Sequence, residues 1–149
     1  MFLDNKIFET VIYSTPLISI DLVVRNPQGQ VLFGFRTNRP AQDYWFVPGG
    51  RIKKNESMKN AFTRLCQHEL GLTYSIEQAT FIGPYEHFYD DSVFGDHVST
   101  HYVVLGYEIT VAESQLTLPS EQHSQYQWFD VDSLLTQENV HQHSKWYFA

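Results

Sequence analysis

The chain has 149 residues, a formal charge of −7, and 42% hydrophobic, 18% charged and 15% aromatic residues. That length suits one folded domain rather than two, and the composition excludes a disordered chain. The acidity excludes a broad basic surface for a nucleic-acid backbone. A small phosphorylated ligand remains open, gripped by focused arginines such as Arg36, Arg39, Arg51 and Arg64 together with a divalent cation. The single cysteine, Cys66, excludes an internal disulfide and a multi-thiolate metal site. No apolar run approaches the ~20 residues of a membrane span. Met1 to Lys6 lacks the basic-then-apolar order of a secretion signal, so a cytoplasmic protein is expected.

In chain order, Thr15-Pro16 ends any N-terminal helix, and Leu17 to Val24 is a strand rich in β-formers, interrupted by Ser19 and Asp21. Asn26-Pro27-Gln28-Gly29 predicts a turn, and Val31 to Arg36 the returning strand. Asn38 to Asp43 reads as a polar loop, and Tyr44 to Val47 as a short strand running into Pro48-Gly49-Gly50. The spacing predicts a helix over Ser57 to Leu70, stopped by Gly71. Tyr74 to Ile82 is expected to be a strand, and Gly83 to Asp96 a long loop carrying rings, His87 and acids. His101 to Val111 reads as a strand, Leu116 to Gln125 as a polar connection, and Tyr126 to Phe129 as a short strand. Val131 to Leu135 and Val140 to Phe148 read as short terminal helices. With no repeat or linker, the expectation is one mixed α/β (α+β) domain over residues 1–149.

The helix carries an anomaly. At about 100° per residue, Met58, Ala61, Phe62, Leu65 and Leu72 fall on one apolar stripe, with Glu69 among them. A carboxylate facing a core must be paired, neutralised or metal-bound. Alternatively the helix frays near Gly71, and Glu69 points to solvent or to an arginine. Gly49-Gly50, between strand and helix, either presents backbone groups to a ligand or merely makes a tight turn. A carbonyl there and a helix carboxylate are both hard oxygen donors, the type that suits Mg²⁺.

The run Gly50, five residues, Glu56, seven residues, Arg64-Leu65-Cys66-Gln67-His68-Glu69-Leu70-Gly71-Leu72 has the spacing of the Nudix box. Leu65 and His68 stand where that box carries glutamates, and Cys66 stands in place of an aliphatic residue. With this degenerate box, and with Thr15-Pro16-Leu17, Arg36 to Gln42, Tyr44 to Arg51, His87 to Asp91, Thr100 to Gly106 and Glu121-Gln122-His123, the chain resembles the GDP-mannose mannosyl hydrolases of the Nudix superfamily.

The resemblance implies a Nudix-type α/β/α sandwich with a mixed central sheet and a loop-helix. It also implies a homodimer, one Mg²⁺ per subunit and a GDP-sugar substrate, GDP-mannose or GDP-glucose. Water would attack the anomeric carbon with inversion, releasing GDP. By position the metal ligands are the Gly49 carbonyl, Glu69 and Gln122, and His123 is the general base. Arg36 and Arg51 are expected to clamp the diphosphate, and Tyr102 to donate its hydroxyl to the leaving group or to be a core ring. Asp21, in an apolar strand, either faces the site or pairs with a base such as Arg36, and takes a substrate-pocket role. His87 is expected to contact the sugar or help close the site from its loop. Glu56 is read as orienting the box loop, and Arg64 as a salt bridge or a substrate contact. Two alternatives stay open: a conventional Nudix phosphoanhydride hydrolase of nucleotide sugars or nucleoside triphosphates, and a non-catalytic nucleotide-sugar sensor.

Overall fold

The structure is a computed structural model that describes residues 3–119 and 123–148, with residues 123 and 124 described by backbone only. Helix α1, Asn5–Ser14, is capped by Asp4, whose carboxylate accepts from the Ile7 N–H at 2.9 Å. It ends where Thr15 turns extended ahead of Pro16, as the sequence requires. Among the described residues no helix is long and apolar enough to cross a membrane.

Strand β1, Leu17–Arg25, is the spine of a seven-stranded mixed sheet. One edge pairs in parallel with β6, Thr100–Thr110, from Leu17↔Tyr102 to Arg25↔Thr110. The other edge forks. Ser19 to Asp21 pair with β4, Gly49–Arg51, whereas Arg25 pairs with Val31 of β2, Val31–Arg36. Strand β2 also pairs with β3, Trp45–Phe46, and with β7, His123–Phe129. The β1–β2 turn is closed by the Asn26 side chain, which accepts from the Gln28 and Gln30 N–H groups, while Gly29 takes a φ of 80°.

The expected strand at Tyr74 to Ile82 and loop at Gly83 to Asp96 are both corrected. Ile76–Gln78 is a 3₁₀ turn, and β5 runs from Thr80 to Tyr89, antiparallel to β6, with an irregularity between Phe81 and Gly83. Its inward residues are Tyr85, His87 and Tyr89 rather than aliphatic ones, so the alternation is real although its polarity hides it.

Helix α2, Met58–Leu70, starts at Ser57, whose hydroxyl accepts from Asn60 N–H, and stops at Gly71 in the left-handed conformation, φ 63°. Its buried face is Ala61, Phe62, Leu65, Cys66 and Leu70, packed on Ile20, Leu22, Val24, Tyr107 and Ile109. Met58 is 45% exposed and Glu69 half-buried, so the carboxylate borders the apolar stripe instead of sitting within it. On the opposite face of the sheet, Val23, Phe33, Trp45 and Phe129 pack with Leu134 and Val140, from around the short helices α3, Val131–Thr136, and α4, Gln142–Lys145. The result is the expected α/β/α sandwich.

Candidate active site

The fork in β1 opens a cavity of about 380 Å³ bounded by β1, β4, β5, β6, α1 and α2. Its size is that of a small-molecule site. Asp21, Arg36, Gly49, Arg51, Glu69, His87 and Tyr102 all line it. Residues scattered from the first strand to the sixth thus meet at one place. Of the remaining expected residues, Gln122 lies outside the described residues, as does the side chain of His123, whose backbone pairs with Arg36 across β2 and β7.

Both glycines of β4 stand where a side chain would meet a close neighbour. A Cβ on Gly49 would lie 2.4 Å from the Ile20 carbonyl oxygen and 2.6 Å from Asp21 Oδ1, so only glycine lets β4 approach β1 here. A Cβ on Gly50 would meet Leu65 Cδ2 at 2.5 Å. Leu65, 2% exposed, therefore fills a box position typical of glutamate with a core side chain. Glu69 is the sole acidic residue of α2.

Arg64 lines the cavity and is also held in an ion pair. Its Nε donates to Glu56 Oε2 at 2.7 Å, and its Nη2 to Glu56 Oε1 at 2.9 Å and the Arg51 carbonyl at 2.8 Å. Glu56 also accepts from Lys53 N–H at 3.0 Å. Arg64 foremost draws the Glu56 carboxyl down to about 2, so the pair is charged and pins the box loop to α2.

Asp21 is 6% exposed, and burial lifts its carboxyl to about 7 against the opposing pull of the Tyr147 hydrogen bond and the Arg36 charge. Its hydrogen-bond partner is the Tyr147 hydroxyl, at 2.5 Å. Arg36 acts on it through space and donates its own Nε–H to the Pro40 carbonyl at 2.8 Å. Burial also raises the Tyr102 phenol, which stays protonated at neutral pH. The Arg51 guanidinium rests 4.8 Å above the centre of the Phe8 ring.

His87 is not a loop residue. It sits on β5, 1% exposed, stacked on His143 at 4.4 Å, with His141 4.5 Å from His143. Burial, then the neighbouring imidazoles, lower His87 to about 3, so it is neutral, and its Nε2 has no hydrogen-bond partner among the described residues. Phe8 and Tyr89 also line the cavity, and Tyr147 reaches it through Asp21, although the sequence gives none of them a site role. They look like ordinary core aromatics, and no spacing signal sets them apart.

Among the described residues no three His, Cys, Asp or Glu side chains form a ready metal cluster. What the cavity does offer is a backbone segment at Gly49 and a half-buried carboxylate at Glu69, whose charge reaches Arg64. These are hard oxygen donors and fit Mg²⁺ by chemistry.

The NUDIX domain family matches residues 15–149. The low-salt glycan biosynthesis protein Agl8 of Haloferax volcanii is 42% identical over 123 residues, 83% of this chain and 76% of that protein. Among solved structures, the MutT protein of Methanosarcina mazei superposes with a TM-score of 0.72 at 21% identity, covering 91% of this chain and 92% of the other. The NUDIX domain of Shewanella oneidensis NrtR, complexed with ADP ribose, superposes with a TM-score of 0.66 at 18% identity, covering 98% and 90%. The chain belongs to the Nudix hydrolase family. Enzymes of this family typically use a divalent metal such as Mg²⁺.

Proposed function

We propose that this Nudix hydrolase cleaves GDP-mannose, and GDP-glucose as a second substrate, to GDP and free sugar by water attack at the anomeric carbon. The observation that carries this reading is the acid content of α2. Leu65 is turned into the core against Gly50, Glu56 is locked to Arg64, and Glu69 is the one carboxylate the helix brings to the cavity. Attack on phosphorus by metal-activated water calls for several helix carboxylates, whereas attack on carbon calls for a stabilised leaving group and a base. The name of the Haloferax relative places that protein in glycan biosynthesis, in keeping with a sugar-bearing substrate here. The NrtR domain binds ADP ribose, a nucleoside diphosphate that carries a sugar.

In this mechanism Arg36 and Arg51 hold the diphosphate oxygens, since guanidinium forks fit them. Tyr102 donates a hydrogen bond to the leaving oxygen while keeping its proton, and Asp21 and His87 line the pocket for the sugar nucleotide. His123 takes a proton from the incoming water as its oxygen bonds to the anomeric carbon. The carbon–oxygen bond to the diphosphate breaks, its electron pair leaves with GDP, and the centre inverts. A bound Mg²⁺, held by the Gly49 carbonyl, Glu69 and Gln122, would neutralise charge on the departing diphosphate.

The test is incubation with GDP-mannose and Mg²⁺ in ¹⁸O-labelled water, with all products identified. GDP plus labelled mannose supports the reading. Release of GMP and mannose 1-phosphate would establish a conventional phosphoanhydride hydrolase instead, and binding without turnover a sensor. A homodimer is the assembly we propose, to be checked by sedimentation.

A further inference from the structure

We propose that Tyr147 is a positioning residue for Asp21, holding one carboxylate oxygen so that the other is presented to the cavity. The inference rests on the glycosyl hydrolase reading above, and its support is a feature of the sheet. Asp21 of β1 is in register with Gly106 of β6, which is in register with Gly83 of β5. Two successive strands thus carry no side chain beside Asp21. The Tyr147 ring lies in the trough over Gly106, so close that a Cβ on Gly106 would sit 3.0 Å from Tyr147 Cε1. Tyr85 of β5 walls it edge-on, with ring centres 4.6 Å apart at 78°.

Seated this way, the phenol has its hydroxyl 2.5 Å from Asp21 Oδ2. Oδ1 lies on the other side, beside the Gly49 backbone, where β4 meets the cavity. Asp21 therefore has one oxygen held by Tyr147, while the other, among the described residues, lies beside Gly49 at the cavity. A buried carboxylate with free rotation would present either oxygen or neither, and a ligand would pay for the ordering.

The segment that delivers Tyr147 is itself anchored. Ser144 Oγ accepts from the Val47 N–H at 3.2 Å, His143 stacks on His87 at 4.4 Å, and the His141 N–H donates to the Trp45 carbonyl at 2.9 Å. These contacts place the end of the chain against strands bearing cavity residues, although Tyr147 contributes nothing to the cavity lining itself. Its effect on substrate passes through Asp21.

The test is a double-mutant cycle on the full chain with Mg²⁺ and GDP-mannose, using wild type, Tyr147→Phe, Asp21→Asn and the double variant. Phenylalanine keeps the ring in its trough and removes only the hydroxyl. The expected result is a ~10–100-fold loss in kcat/KM for Tyr147→Phe, an unchanged melting midpoint, and less than about twofold further loss when Asp21 is already Asn. A Tyr147→Phe enzyme as active as wild type, or one whose loss multiplies fully with that of Asp21→Asn, overturns the proposal.

Should Tyr147→Phe melt early, Gly106→Ala displaces the same ring and leaves the hydroxyl in place. An Asp21-dependent loss there supports the proposal, and its absence overturns it. Release of GMP and mannose 1-phosphate by the wild type would sink the glycosyl reading and leave the cycle readable. A wild type that binds without turnover is read through GDP-mannose affinity in the same four proteins, with the same criterion of coupling.

Discussion

Glu69 borders the apolar face of α2 and is the helix's one acid, so any divalent ion at this end of the cavity depends on it more than on any other helix side chain. Replacing Glu69 with Gln removes the charge and keeps the shape. Mg²⁺ affinity should fall at least about tenfold, measured by Mn²⁺ or Mg²⁺ titration of the folded protein; an unchanged affinity would remove Glu69 from the ligand set. His123 is assigned to proton transfer, an event of the transition state. His123→Gln should therefore lower kcat by roughly 10²–10⁴ while KM moves little, and an equal loss from substituting the exposed His97 would undo the assignment. At this scale the sequence singled out Glu56 as orienting the box loop and Arg64 as a salt bridge or a substrate contact, but that the two form a bidentate pair came only from the structure. It was silent on the partner of Asp21.

At the scale of elements, β4 decides how the site is built. Its two glycines meet different neighbours. The Gly49 Cβ would strike the Ile20 carbonyl, which is backbone and cannot swing aside, whereas the Gly50 Cβ would meet the far end of the Leu65 side chain, which can. Gly49→Ala should then cost about 1–3 kcal/mol of stability, and Gly50→Ala clearly less, as read by urea denaturation. Equal costs would mean that β4 is held by something other than close approach to β1. The element least visible beforehand was β5. Tyr85, His87 and Tyr89 alternate inward as strand residues should, yet they are polar aromatics, and hydrophobic periodicity alone placed them in a loop. Helix α2 was legible almost to the residue because Ser57 and Gly71 are local capping signals that need no tertiary partner.

For the molecule as a whole, the C-terminal segment closes the sandwich by laying two histidines against a third. Burial holds His141 and His143 down to about 4 and His87 to about 3, against an ordinary 6.5. The unfolded chain therefore takes up protons below pH 6.5 that the folded chain does not. The stability these groups contribute is intact above pH 6.5 and is lost progressively as pH falls toward 4 and then 3. Asp21 works in the opposite sense, since its raised carboxyl favours the folded state at low pH, with that advantage lost between 3.8 and about 7 as pH rises. Three imidazoles outweigh one carboxyl. The melting midpoint should fall on acidification from pH 6.5 to 4, and His143→Phe, which keeps the ring, should flatten that fall by about a third. A midpoint independent of pH over this range would show the cluster to be solvated.

By itself the sequence determined the β1–β2 hairpin, α2 with its caps, the strand β6, and the box spacing that gives the family. All of these are written in short-range order, where periodicity and neighbouring side chains decide the outcome. Only the tertiary structure decided that β1 forks, that His87 is buried in a stack instead of closing a loop, and that Asp21 meets Tyr147 across 126 positions. The reason is physical: a buried carboxylate must find a donor, but which donor reaches it depends on where the sheet leaves room, and that room is made by Gly106 on a strand brought beside β1 only by folding.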